Sequence, residues 1–133
     1  MPLGLRDLFK PRPDAAEAGD AAARTDDPAE LDRMLVAELR KFGADLGRPR
    51  DARFFLYFDD RADAERAAES IEAEGFETEL EETERERAEP WRLIAWRDMV
   101  VDDETIADVR RVFGRIAVAN WGSFGGWEAA ALD

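Results

Sequence analysis

The run Phe54-Phe55-Leu56-Tyr57-Phe58 constrains this chain more than any other stretch. A strand sends successive side chains to opposite faces, so a strand that is apolar at both parities asks for cover on both sides. Asp59-Asp60 follows the run and Gly47 and Pro49 precede it, which makes it too short for a helix. It reads as a central strand. A second run, Trp91-Arg92-Leu93-Ile94-Ala95-Trp96-Arg97, carries Trp91, Leu93 and Ala95 on one parity and Ile94 and Trp96 on the other, so it too reads as central. Between them, Phe76-Glu77-Thr78-Glu79-Leu80-Glu81 alternates strictly. One face is apolar and the other is a row of glutamates, the pattern of a solvated edge strand that repels further pairing.

Helical signals separate these strands. Asp27 is placed to cap, Pro28 suits the first helical turn, and Leu31, Leu35, Leu39, Phe42 and Leu46 recur at spacings of three and four. Gly47 and Pro49 end that helix, and Gly43 weakens its last turn. Asp60 caps a helix expected from about Ala62 to Glu74, with Ala64, Ala67, Ala68 and Ile71 inward and Gly75 as its stop. Asp102 or Asp103 caps a last helix reaching about Asn120, lined by Ile106, Val109, Phe113, Ile116 and Ala117. A short final strand is expected from about Ser123 to Glu128.

The order is therefore one helix and then β-α-β-β-α-β. This predicts an α+β, ferredoxin-like antiparallel sheet with central first and third strands and an edge second strand. The two crossover helices cover one sheet face. The extra N-terminal helix, with its Leu/Phe stripe, is expected to pack on the second face, where the remaining aromatics would otherwise form an exposed patch. Residues 1–26, with Pro11-Arg12-Pro13 and an Ala/Asp/Glu/Gly run, read as a loosely ordered tail; within it Leu5, Leu8 and Phe9 could form a short docking helix. Residues 27–133 read as a single domain.

The chain of 133 residues has a net charge of −13 and neither histidine nor cysteine. The missing residue types remove Ser-His-Asp and Cys-His catalysis, disulfides and the usual zinc sites. Neither an enzyme activity nor a cofactor is expected. The charge repels phosphate backbones and anionic membranes and favours a basic protein partner, although the same acidity also serves solubility. No segment has the length and apolarity of a membrane span, and Arg6 and Asp7 interrupt any signal-peptide core, so a cytoplasmic location is expected.

The densest charge lies in Glu72–Glu89. Glu77, Glu79 and Glu81 stand in a row about 7 Å apart on an open strand face. That geometry suits a solvated edge or a docking surface for a basic peptide better than a convergent metal or catalytic site. Sheet aromatics raise an RNA-binding alternative, since RNA-recognition modules stack bases on such a sheet, but no basic stripe accompanies them. The candidate partner-binding set is Glu77, Glu79, Glu81, Glu82, Glu84, Trp121, Phe124 and Trp127. For the three aromatics the competing reading is a clasp that holds the last strand to the core.

Several phrases share one further likeness: Leu31-Asp32-Arg33-Met34-Leu35 through Phe42-Gly43-Ala44-Asp45-Leu46, then Phe54-Phe55-Leu56-Tyr57-Phe58, Glu74-Gly75-Phe76-Glu77, Val101-Asp102-Asp103-Glu104-Thr105-Ile106, and the closing Trp121-Gly122-Ser123-Phe124-Gly125-Gly126-Trp127-Glu128. In order and spacing they resemble the ribonuclease E inhibitor (RraB-like) family across about residues 28–130. The family's Gly-Gly pair reads Trp121-Gly122 here, and its Tyr-Asp reads Phe124-Gly125. The resemblance implies a small non-catalytic regulator that binds a ribonuclease E-type endonuclease and modulates RNA decay. A general protein-interaction module with another basic partner and a carboxylate-only cation binder or enzyme stand as alternatives.

Overall fold

Local capping chemistry starts each helix. Asp27 accepts a hydrogen bond from the Ala29 amide at 3.0 Å, and helix α1 runs Pro28–Lys41. Asp60 accepts from the Ala62 amide at the head of α2, Arg61–Glu72. The third helix, α3, Asp103–Ala119, opens on a full capping box: Asp102 accepts from the Thr105 amide at 2.8 Å while the Thr105 hydroxyl takes the Asp102 amide at 3.0 Å. Two otherwise orphaned backbone donors are satisfied reciprocally. The computed structural model describes residues 2–4, 27–42, 45–83 and 89–130. The expectations for Leu5, Leu8, Phe9, Gly43 and Glu84 fall outside these residues.

The strands are β1 (Pro2–Gly4), β2 (Arg50–Phe58), β3 (Glu77–Glu82), β4 (Trp91–Met99) and β5 (Gly122–Ala130). They form one five-stranded sheet in the order β1-β5-β2-β4-β3, and every neighbouring pair is antiparallel. Side-chain parity placed the strands correctly: β2 and β4 are interior, and β3 ends the sheet. One strand lies where the sequence suggested only tail, since Pro2–Gly4 pairs with Glu128–Ala130.

Ala52, Phe54, Leu56 and Phe58 of β2 and Leu93 and Ala95 of β4 are fully buried on one sheet face. Phe54 meets Phe76 and Phe113 edge-on at centroid distances of 5.8 and 5.5 Å, the favoured aromatic geometry. Helix α2 lies over β3 and β4, and α3 over β5. Small residues, Ala64 and Ala67, let α2 sit close to the sheet.

The position of α1 differs from the sequence expectation. It packs beside α3 in the same helix layer and does not cover the second sheet face. Leu35, Val36 and Leu39 join the core that holds Phe54 and Phe113, while Phe42, counted in the stripe, is 56% exposed. Parity marked Phe55, Tyr57, Ile94 and Trp96, or their opposite parity, as needing a cover, and arginines lie on two of these rings: the Arg92 guanidinium is 5.8 Å from the Phe55 ring centre and that of Arg53 is 5.6 Å from that of Trp96. An arginine laid on a ring shields it while its charged head stays hydrated. A leucine-striped helix would have to desolvate those heads.

Candidate interaction surface

All three helices of the described residues occupy one sheet side; the opposite face of β2–β5 carries the other parity, of which Phe55 and Glu128 are buried. Antiparallel register orders it into rows. Glu77 lies opposite Trp96, Glu79 opposite Ile94, and Glu81 opposite Arg92. Further in, Trp96, Ile94 and Arg92 lie opposite Arg53, Phe55 and Tyr57. Arg53 in turn stands opposite Glu128, and Tyr57 opposite Ser123. The face thus grades from a carboxylate row at the β3 edge to a half-buried aromatic and arginine centre. Arg92 Nε donates to Glu81 Oε1 at 2.6 Å. Glu77 and Glu79 are exposed and have no ion-pair partner among the described residues.

The other candidate residues separate. Glu82 is exposed but takes the opposite parity to the glutamate row. Trp121 is 79% exposed and adjoins Val118, also exposed. Its φ of 63° places a bulky side chain in the left-handed region just past the α3 cap, where glycine is the ordinary occupant. Phe124 is half-buried against the core, with the Arg110 guanidinium 4.6 Å from its ring centre. Trp127 was a candidate partner contact, but it is only 1% exposed and belongs to the core. Its indole Nε1 donates to Asp32 Oδ1 at 2.9 Å.

Asp32 is a residue the sequence reading overlooked. It is buried, accepts from Arg110 Nη2 at 2.8 Å as well as from Trp127, and so ties α1, α3 and β5 together. The available signal was a carboxylate lying one position past Leu31 on a helix whose neighbouring positions are apolar. Arg53 and Arg92 were also missed. Each sits at an outward parity beside an aromatic, which strand alternation could have exposed.

Backbone approach shapes the end of the sheet. A Cβ on Gly122 would stand 2.3 Å from the Phe58 ring and 2.6 Å from the Tyr57 carbonyl oxygen. The β2–β5 register shifts between Phe55 and Leu56, skipping Gly125, over which the Tyr57 ring folds. This bulge bends the strand beside Tyr57. Glycine in the closing segment therefore serves close packing.

A cleft of about 290 Å³ between α1 and α3 is lined by Asp32, Arg33, Asp103, Arg110 and Arg111 among others. Its buried carboxylate is already committed to Arg110 and Trp127. No group of three or more carboxylates able to hold a metal ion occurs among the described residues. No helix of the described residues is long and apolar enough to cross a membrane.

Fold and surface together define a class: a small α+β protein whose described helices lie on one sheet face and whose edge strand β3 carries exposed carboxylates. The chain belongs to the RraB family, regulator of ribonuclease activity B, whose family model matches residues 29–129. A search of curated proteins finds no match.

Proposed function

We propose that this protein is a non-catalytic regulator of RNA decay that binds a ribonuclease E-type endonuclease through a basic protein segment. The family match carries this reading, because the family is named for regulation of ribonuclease activity. The β3 edge of the sheet supports it physically. Its exposed carboxylates attract arginine-rich chain and repel RNA, so the protein acts on the enzyme and leaves the nucleic acid alone. The reading places the protein in the cytoplasm and takes residues 27–133 as one domain with 1–26 appended. It also takes the four long strands, in the order β5-β2-β4-β3 with two crossover helices on one side, as a ferredoxin-like unit.

The test is direct. The purified protein is added to the endonuclease of its own host with a labelled RNA substrate, and complex formation is followed in parallel by sedimentation. Slower cleavage over the concentration range in which the complex forms is the expected result. Unchanged cleavage with no complex at low and moderate salt refutes it. A second reading, regulation of a different basic partner, is favoured by Phe124-Gly125 standing where the resemblance to the family implies Tyr-Asp. Recovery of another basic protein in place of the endonuclease would select it.

A further inference from the structure

We propose that the outer edge of β3 receives an extended basic peptide as an added strand, with arginines at every second position facing Glu77 and Glu79. The proposal rests on the reading of a basic partner and specifies how that partner docks.

The first observation is topological. β3 ends the sheet and, among the described residues, pairs with β4 alone. One side of its backbone therefore presents unpaired N–H and C=O groups, the template for strand addition. The second observation is chemical. Within the sheet, Glu81 already shows what its row accepts: Arg92, directly opposite it on β4, donates to its carboxylate. Glu79 and Glu77 face Ile94 and Trp96 on that side, and neither inner neighbour is a cation. A strand added on the free side at about 4.8 Å would place its outward residues at the cross-strand distance that Arg92 occupies on the inner side.

The opposite parity completes the specification. Thr78 and Leu80 point towards the helix layer and are half-buried, with Leu80 packed on the core. Residues of the added strand that alternate with the arginines would lie beside them, so small β-branched apolar side chains suit those positions. The preferred occupant is thus an alternating arginine–valine strand rather than a block of arginines.

Charge also selects among edges. A second copy of this chain would bring a net charge of −13 and its own glutamates against the row. The residues that forbid self-pairing through β3 favour a basic strand, so one feature rejects the wrong partner and attracts the right one.

The experiment uses the full-length protein and two fluorescent peptides of identical composition, one alternating Arg-Val and one with the arginines in a block. A third peptide carries the alternating sequence with backbone N-methyl groups on every second residue. The alternating peptide is expected to bind at least about tenfold more tightly than its block isomer, from paired charges and a formed ladder. N-methylation in the register that faces β3 should remove that advantage, and the double substitution Glu77→Gln, Glu79→Gln should weaken the alternating peptide severalfold. Equal binding of all three peptides would overturn strand addition while leaving the basic-partner reading intact. No binding of any peptide, with the endonuclease complex still formed, would also overturn it and move docking to another surface. If neither peptides nor endonuclease bind, both readings fall together.

Discussion

At the level of single residues, two positions separate packing from exposure. Asp32 holds Trp127 and Arg110 at once from inside the α1–α3 interface. Removing the carboxylate strands a buried indole N–H and a guanidinium without their acceptor. A broken buried pair typically costs several kcal/mol, so Asp32→Ala should lower unfolding free energy by about 3 kcal/mol in urea denaturation. Replacing Trp127 by Phe removes the donor and part of a fully buried ring, while Asp32 keeps its bond to Arg110. Trp121 is the converse case. It occupies a left-handed conformation and gives most of its surface to water. Trp121→Gly should stabilise the fold by about 1 kcal/mol, because glycine bears no Cβ penalty there. A strained, exposed tryptophan is a candidate binding group. Titration of Trp121→Gly against the endonuclease is therefore expected to show weaker binding from a more stable protein. Neither side chain's role follows from its identity alone, since Trp121 and Trp127 stand six positions apart in one segment and end in opposite environments.

Among the elements, helix starts are reproduced closely, whereas α1 ends at Lys41, short of the stop expected at Gly47 and Pro49. Asp27, Asp60 and Asp102 each cap the helix that the sequence assigns to them. The Asp102–Thr105 box should be worth about 1 kcal/mol to α3. Asp102→Ala is expected to lower stability by that amount and to speed hydrogen exchange of the Thr105 amide, which loses its acceptor. Placement of β2, β3 and β4 was equally legible, because alternation in β3 and double-sided apolarity in β2 and β4 follow from the period of the extended chain, whereas β1 lay in the expected tail. The packing of α1 was not legible. Its Leu stripe states that one side must be buried and leaves open against what, and the arginines that screen the second sheet face act across strands distant in sequence. The same gap hid half of the candidate surface. Glu77, Glu79 and Glu81 were visible as a row, whereas Arg53 over Trp96 required the β2–β4 register.

For the whole molecule, charge is the governing quantity. A net charge of −13 is spread over a chain of 133 residues, and self-repulsion opposes the compact state. Moderate salt shortens the reach of that repulsion to roughly 8–10 Å. The thermal midpoint is therefore expected to rise from low to moderate sodium chloride by a few degrees, and calorimetric scans at matched protein concentration would show it. A fall would mean that the attractive pairs, such as Glu81–Arg92, outweigh the repulsion. Over the same salt range, binding to a basic partner should weaken, giving opposite responses for stability and association.

By itself the sequence determined the strand and helix periods, the caps, the interior and edge strands, and the acidity that selects the sign of a partner. These depend on neighbours within a few positions or on sums over the chain. Only the tertiary structure decided that α1 joins the helix layer, that Trp127 is bound inside by Asp32, and that arginines lie on aromatic rings of the second sheet face. Those outcomes turn on which distant surfaces meet. Burial of a leucine stripe favours any apolar surface alike, so the choice between two such surfaces falls to the few polar groups that would be left without a partner.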